Sequence, residues 1–365
     1  MPSKSNRSLT PTEPSTIRDV AHAAGVSVAT VSRALNGALN VLPEIRQRIQ
    51  IAAQQLRFTP SSAARSLITR RTDTIGALLP DLHGEYFSEL IRGIDRAARA
   101  RGLHLLVSSS HGDADEAAAA LRAMSGRVDG LLVMSPHADA SFLDHNLPTR
   151  VPAVLLNTCL VYAGHARFAV DNFGGAQTMT RHLLGAGRKR IAFICGPADN
   201  DEAQARLAGY RAGLKPPART KAAAKTTAQP ALFEGDFTEE AGWLAGRRIA
   251  QTRPRPDAIF AANDMMAVGC LAALQEAGLR VPEDIAVVGF DDIPIARYVT
   301  PALTTIRVPI ARLGSAALDA LAKHIEAPDN PPDHATVMPV ELVVRRSCGT
   351  GPPTQPTVPG ERAAH

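Results

Sequence analysis

Residues 16–37 read Thr16-Ile-Arg-Asp-Val-Ala-His-Ala-Ala-Gly25-Val-Ser27-Val-Ala-Thr-Val-Ser-Arg33-Ala-Leu-Asn-Gly37, and the pattern is that of a helix-turn-helix. Thr16 with Asp19 three residues on makes a capping-box-like start, Asp standing in for the usual Glu. Ile17, Val20, Ala21 and Ala24 share one helical face. Gly25 supplies the positive φ that ends this helix and turns the chain, and Ala21 is small enough for a second helix to pack closely. Ser27 is placed to cap that second helix.

In the second helix Val31 and Leu35 repeat at i and i+4 and are expected to face inward. Val28, Ala29, Ser32, Arg33 and Asn36 are then left outward. A recognition helix presents such residues to base edges in the major groove: Arg33 suits a bidentate contact to guanine, and Val28 and Ala29 suit thymine methyls. An ordinary helical hairpin with a solvated Arg is the alternative. Pro43-Glu-Ile45-Arg-Gln-Arg-Ile49-Gln-Ile-Ala52-Ala-Gln-Gln-Leu56 then predicts a third amphipathic helix, with Pro43 in its first turn and Ile45, Ile49, Ala52 and Leu56 inward. After it, residues 57–67 offer a short helix with Thr59 as cap and Pro60 first.

These motifs carry a resemblance. Asp19-Val20-Ala21, Ala24-Gly25-Val26-Ser27, Thr30-Val31-Ser32-Arg33 and Leu35-Asn36, followed by a Pro-Ser-X-Ala-Ala-Arg-Ser-Leu run from Pro60 to Leu67, are similar to the signature of the LacI/GalR family of transcription factors. The resemblance implies a DNA-facing set of Thr16, Ser27, Val28, Ala29, Thr30, Ser32, Arg33 and Asn36 in the head and Ser61, Ala64, Arg65 and Leu67 in a hinge helix. Leu67 holds the place of a wedge that enters the minor groove at the dyad and kinks the duplex. Outside that context a Leu there is plain packing. Leu42 stands at the cap before Pro43, where the family commonly has Ser.

Charge agrees with this division. The chain has 365 residues and a formal net charge of +5. Residues 1–72 hold ten Lys/Arg against three Asp/Glu, and the remainder is slightly acidic. The positive charge is concentrated in the part expected to meet phosphates. No apolar run reaches membrane-spanning length and the first residues lack a signal-peptide core, so a cytoplasmic location and no membrane partner are expected. Cys159, Cys195, Cys270 and Cys348 form no metal or redox spacing, and neither metal nor cofactor is expected.

From Thr74 short apolar strands alternate with helices. Strands are expected at 74–80, 104–108, 128–134, 152–156, 168–170, 190–195, 259–262 and 285–288, and helices at 86–101, 114–124, 174–184, 202–214 and 265–277. This is an α/β pattern of parallel sheets covered on both faces, in two halves that suggest two lobes about a cleft. The family resemblance continues through Arg206-Leu-Ala-Gly-Tyr210, Ala262-Asn263-Asp264, Gly278-Leu-Arg-Val-Pro282, Val288-Gly-Phe-Asp291-Asp292 and Pro301-Ala-Leu-Thr-Thr-Ile306. It implies a periplasmic-binding-protein-like body whose last helices cross back between lobes. The expected organisation is a disordered tail at 1–15, the head at 16–58, hinge helix and linker at 59–72, the two-lobed effector-binding and dimerisation body at 73–347, and a disordered tail at 348–365. A surface insertion is expected at 215–230. The final residues contain no leucine heptads, which points to a homodimer.

Ligands of open parallel sheets bind beyond the carboxyl ends of the strands. Asp81, Asn157, Asp171, Asn263 and Asp291 follow expected strands, with Arg206 on a following helix. Carboxylates accept from hydroxyls and a guanidinium fork grips vicinal oxygens, which suits a sugar, and Tyr86, Phe87 and Phe237 supply apolar faces. Asp and Asn after strands also serve as turn and cap residues. The family pattern singles out Arg206, Asn263 and Asp291; Asn157 stands where relatives often carry Asp.

The reading that follows is a repressor of carbohydrate-utilisation genes, binding a near-palindromic double-stranded operator under control of a sugar-like effector. The alternatives are the same fold sensing a purine-like corepressor or a protein partner, and a sugar-binding protein or enzyme without a DNA role. For the last, Asp264 and Asp291 are an available acid–base pair, but no phosphate-binding Gly loop or nucleophile–base motif accompanies them.

Overall fold

The structure, a computed structural model, describes residues 15–35, 40–59, 71–135, 139–148, 151–158, 162, 164–215, 231–327 and 335–350. The expected tails apart from residues 15 and 348–350, the hinge positions Ser61, Ala64, Arg65 and Leu67, the outward Asn36, and Cys159 lie outside the described residues, as does most of the expected insertion. The described chain forms two compact units divided after Thr72.

The first unit is a three-helix head of α1 (Ile17–Ala24), α2 (Val28–Leu35) and α3 (Pro43–Gln55). Its core is Val20, Ala21, Ala24, Val31, Ala34, Val41, Ile49, Ala52 and Ala53. At the start of α1 the Thr16 amide and hydroxyl both donate to Asp19 Oδ2, at 2.7 and 2.8 Å. Gly25 closes α1 at φ 62°, and the amide of Val26 reaches back to the Ala21 carbonyl at 3.0 Å. The Ser27 hydroxyl accepts the Thr30 amide at 3.2 Å and so caps α2. In α2 it is Val31 and Ala34 that are buried, whereas Leu35 is only half-buried. Leu35 packs against the same core, so Val31 and Leu35 face inward as expected and Ala34 joins them.

The body contains two parallel sheets. In the first, β1 (Thr74–Leu79), β2 (His104–Ser109), β3 (Gly130–Val133), β4 (Ala153–Leu156), β5 (Arg167–Val170) and β11 (Ala335–Met338) lie in the order β11-β5-β4-β3-β1-β2. In the second, β6 (Ile191–Ile194), β7 (Ala231–Phe233), β8 (Ala258–Ala261) and β9 (Ala286–Val288) lie in the order β7-β6-β8-β9. Strands β3, β4, β6 and β8 are buried along their whole length, as sheets covered on both faces require.

Helices α4 (Glu85–Arg99), α5 (Ala114–Met124) and α6 (Ala140–Asn146) belong to the first lobe; α7 (Asn172–Gly185), α8 (Asp201–Leu214), α9 (Glu239–Gln251) and α10 (Asp264–Glu276) belong to the second. Helix α11 (Ile310–Glu326) returns to the first lobe and packs on α4. A Cβ on Gly93 of α4 would fall 2.0 Å from the Ala311 carbonyl oxygen, so only glycine permits this approach. The chain therefore passes between lobes three times: after β5, before α11, and between β11 and β12 (Glu341–Val343), which pairs antiparallel with β10 (Thr305–Arg307). What crosses back is a single helix and an edge strand rather than a set of last helices. Ser347 and Cys348 are buried, so packed structure reaches past the expected end of the body.

Candidate effector cleft and DNA-facing helix

Helix α8 sets the centre of the cleft. Its Gly209 lies against the Phe173 carbonyl of α7, where a Cβ would stand 2.2 Å from the oxygen. Tyr210 anchors it to β6, donating to the Ile191 carbonyl at 2.7 Å and stacking on Phe193 with centroids 4.7 Å apart. One turn earlier, Arg206 is aimed at the strand ends with its side chain 5% exposed. Its Nε donates to Asn172 Oδ1 at 2.8 Å, one Nη to the Ala262 carbonyl at 2.7 Å, and the other lies 3.0 Å from Asp291 Oδ1. The guanidinium sits 4.0 Å from the Phe290 ring centroid and 5.8 Å from that of Phe237. Planar stacking with three directed contacts suits arginine and not lysine.

Around this node runs a chain of side chains from both lobes. Asn157, after β4, donates from Nδ2 to the Tyr86 hydroxyl at 2.7 Å and to Glu202 Oε2 at 3.1 Å. Glu202 also accepts from Asn172 Nδ2 at 3.1 Å. Tyr86, Asn157, Glu202, Asn172, Arg206 and Asp291 are thus linked, and Glu202 joins the second lobe to Asn157 of the first. Asn157, Phe237 and Asp291 have φ of 51°, 76° and 113°, backbone conformations that non-glycine residues adopt at a cost and that gather at functional sites.

Burial dominates the electrostatics. It raises the carboxyl of Glu202, with Arg206 and the two amides opposing it. It pushes Asp291 up to about 7, against the pull of Arg206. The Tyr86 hydroxyl is likewise raised by burial and then by the nearby Glu202 and Asp291 charges. Asp264 is raised by burial and then by Asp291, but it faces away from this chemistry: it accepts from Thr305 Oγ1 at 2.6 Å and the Ile293 amide at 3.0 Å, pinning a crossing segment. Neighbouring Asp292 is held by Arg345 at 2.6 Å and Arg307 at 2.7 Å. The expected Asp264–Asp291 acid–base pair is therefore not what the structure builds from Asp264.

The remaining expected residues divide. Asn263 lines the site edge with both ends of its amide engaged: Oδ1 caps α10 at the Met266 amide and Nδ2 holds the Phe237 carbonyl at 2.9 Å. Phe87 packs edge-on against Tyr86 and the core. Asp171 is exposed and caps α7 through the Gly174 amide, and Asp81 is exposed and closes a turn on the Leu82 and His83 amides. These two take the turn and cap roles open to any Asp after a strand. Glu202, Asn172 and Phe290 were not expected. Glu202 lies four residues before Arg206, hence on the same helical face, and Asn172 is one residue from the Asp171 that the strand end suggested.

A cavity of about 340 Å³ opens elsewhere, beside the crossing segments, with Arg92, Asp292, Arg297, Arg307 and Arg312 in its lining. Its buried carboxylate, Asp292, is already committed to arginines that hold the crossing strands together, so the cavity is read as part of the crossing region. Among the described residues no group of His, Cys, Asp and Glu is arranged to hold a metal ion, and no helix is long and apolar enough to cross a membrane.

On the head, Val28, Ala29 and Arg33 are exposed along α2, and Ser27 and Thr16 are exposed at helix starts. The Arg46 guanidinium donates to the Ala34 carbonyl at 3.1 Å, holding the last turn of α2 from α3. Leu42, at the cap of α3, is 65% exposed and offers no side-chain acceptor.

Comparison with known proteins joins the two units. The model for bacterial regulatory proteins of the lacI family matches residues 16–61, and that for a periplasmic binding protein-like domain matches residues 180–348. The ribose operon repressor of Escherichia coli strain K12 is 38% identical over 317 residues, 86% of this chain and 94% of that protein. The chain belongs to the LacI family. The HTH-type transcriptional repressor PurR of Erwinia tasmaniensis is 36% identical over 343 residues, 92% of this chain and 98% of the relative. Among solved structures, the lac repressor dimer bound to operator and the anti-inducer ONPF superposes with a TM-score of 0.80 at 29% identity, over 92% of this chain and 99% of that one. A LacI-family regulator from Enterococcus faecium with bound ribose gives 0.67 at 26% identity, over 75% and 98%. This member of the family thus has its helix-turn-helix in the matched head, and Glu202, Arg206 and Asp291 of its cluster in the matched part of the body.

Proposed function

We propose that this LacI-family member is a cytoplasmic transcriptional repressor. It binds a near-palindromic operator as a homodimer through α2, and a small hydroxylated effector at the Arg206 cluster sets its operator affinity. The observation that carries the effector half is the network from Tyr86 to Asp291, which spans both lobes through the Asn157–Glu202 hydrogen bond. An effector that replaces this bond with its own contacts changes the balance between lobe arrangements by its differential affinity for them, and by linkage changes operator affinity by a coupling free energy no larger than that difference. The DNA half rests on the exposed Val28, Ala29 and Arg33 of a capped, well-packed second helix. The expected hinge contacts of Ser61, Ala64, Arg65 and Leu67 complete it.

The purine reading draws on the PurR relatives. The unfilled buried capacity at the cluster is acceptor, namely Asn157 Oδ1, with Asp291 Oδ1 met only by the Arg206 ion pair. Each hydroxyl of a polyol supplies a donor to such atoms, whereas a purine base offers one or a few N–H donors on a rigid plane; we take the hydroxylated ligand as the reading and the purine as the outcome the test distinguishes. The test is operator binding by the full chain with and without ribose and a purine base. A change with ribose supports the reading, a change with the purine alone replaces the ligand class, and turnover of either compound overturns the assignment of a binding rather than catalytic role.

A further inference from the structure

Resting on the cleft reading above, we propose that the effector carries a protonated amine among its hydroxyl groups and that Glu202 is the residue that selects it. The cluster holds two carboxylates, Glu202 and Asp291, and one guanidinium. All three nitrogens of Arg206 are engaged, by Asn172, the Ala262 carbonyl and Asp291, so its charge is matched by Asp291. Glu202 is left with hydrogen bonds only from neutral amides, those of Asn157 and Asn172. Glu202 is part-buried, and the guanidinium that opposes its protonation is the same Arg206 already paired with Asp291; two carboxylates on one guanidinium leave one charge uncompensated, and no cation among the described residues hydrogen-bonds to Glu202. A ligand cation supplies the missing charge.

The second observation is Asn157 Oδ1. It is inaccessible to solvent and has no hydrogen-bond partner, because the Nδ2 of the same amide is already shared between Tyr86 and Glu202. Its open end therefore requires a donor, and it lies on the same side chain that touches the Glu202 carboxylate. An ammonium has three donors and no acceptor, so one group can meet both the Glu202 carboxylate and Asn157 Oδ1. A neutral hydroxyl satisfies the amide oxygen but leaves the charge. A phosphate or sugar acid adds a second negative charge where the only guanidinium is committed. Burial already holds Glu202 above the ordinary carboxyl range, and a cation beside it draws the proton off.

The experiment is a charge series on constant carbon frames, read by thermal shift and calorimetry on the full chain. The probes are glucosamine, glucose and glucose 6-phosphate, and 1-amino-1-deoxyribitol, ribitol and ribitol 5-phosphate. The expected result is that an amine binds about tenfold or more tightly than its neutral counterpart and that the phosphates bind weakest. In Glu202→Gln, which keeps the side-chain shape, amine and neutral members of a pair become equal; in Glu202→Asp, which keeps the charge, the order is retained. Circular dichroism establishes that both variants are folded. The proposal is overturned if a neutral or phosphorylated member binds as tightly as its amine, if the preference survives in Glu202→Gln, or if no amine shifts the melting temperature. Neutral ribose altering operator affinity while the amines stay silent sinks this inference and leaves the regulatory reading standing. Operator affinity indifferent to every hydroxylated compound that binds would sink the regulatory reading instead.

Discussion

The head and the cleft are built by opposite strategies. In the head the caps and turns are local, Thr16 with Asp19, Gly25, and Ser27 with Thr30, and the small core of Val20, Val31 and Ile49 is supplied by three short successive helices. The exposed face of α2 follows from which residues must be buried. In the cleft Tyr86, Asn157, Asn172, Asp291 and the Glu202–Arg206 pair of α8 come from five separate places and meet only when both lobes are formed. The head is therefore robust and modular, whereas the cleft concentrates burial, charge and strained backbone in a site whose parts depend on each other.

Removing the node should break that contrast most clearly. Arg206→Ala leaves Asp291, Asn172 and the Ala262 carbonyl without their partner, and loss of one member of a buried pair costs about 3 to 5 kcal/mol. Denaturant titration should find this loss in the body. A change under about 1 kcal/mol would show that the cluster is not a coupled unit. On the head, Arg33 is exposed, so Arg33→Ala should leave stability within about 0.5 kcal/mol while weakening the cognate operator by about 1 to 3 kcal/mol and relaxing base choice at one position. Equal weakening on all DNA sequences would make Arg33 a phosphate contact.

A subtler test uses pH. Burial raises the carboxyls of Glu202 and Asp291, so between the ordinary carboxyl range and their folded values the folded body binds protons that the unfolded chain has released. Their contribution to stability is full below about pH 4 and is lost as pH rises towards about 7, the value for Asp291. Glu202→Gln removes one of these groups and should raise the stability of the ligand-free chain above pH 7 by about 1 kcal/mol, the scale of an ill-compensated buried polar group. The gain should shrink towards pH 4. A gain independent of pH would assign the effect to packing. The smallest change is on the head: Leu42→Ser supplies the missing acceptor at the start of α3 and should stabilise it by roughly 0.5 to 1 kcal/mol, measured as a rise in the head's own transition.

How much could be read from the sequence follows the same division. The head's three helices and their caps were legible because capping and amphipathic spacing are local; on α2 only Ala34, buried beside the expected Val31 and Leu35, was not marked. In the body the β/α alternation was legible through β9, because buried strands are apolar throughout. Helices α6, α9 and α11, and strands β7, β10, β11 and β12, were not marked. Helix α9 buries Gly242, Ala245, Gly246 and Ile249 against α10, and such small residues make a faint apolar stripe. At the site, Arg206, Asn157, Tyr86, Phe237 and Asp291 were named, but Asp171 was preferred to Asn172 because the strand-end rule points to the cap and not to the first inward residue of the helix. Glu202 was missed because its partners are amides 45 and 30 residues away, which no local pattern reveals.

The account stands on the claim that the cleft controls the head. The measurement that tests it most directly is fluorescence anisotropy of an operator selected by the full chain from random DNA, titrated without ligand and with saturating ribose, glucosamine or a purine base. The account predicts that at least one hydroxylated ligand changes the operator Kd by about 5- to 150-fold and that this response is erased in Arg206→Ala. An operator Kd unchanged by a ligand that calorimetry shows to be bound at the cluster would contradict it.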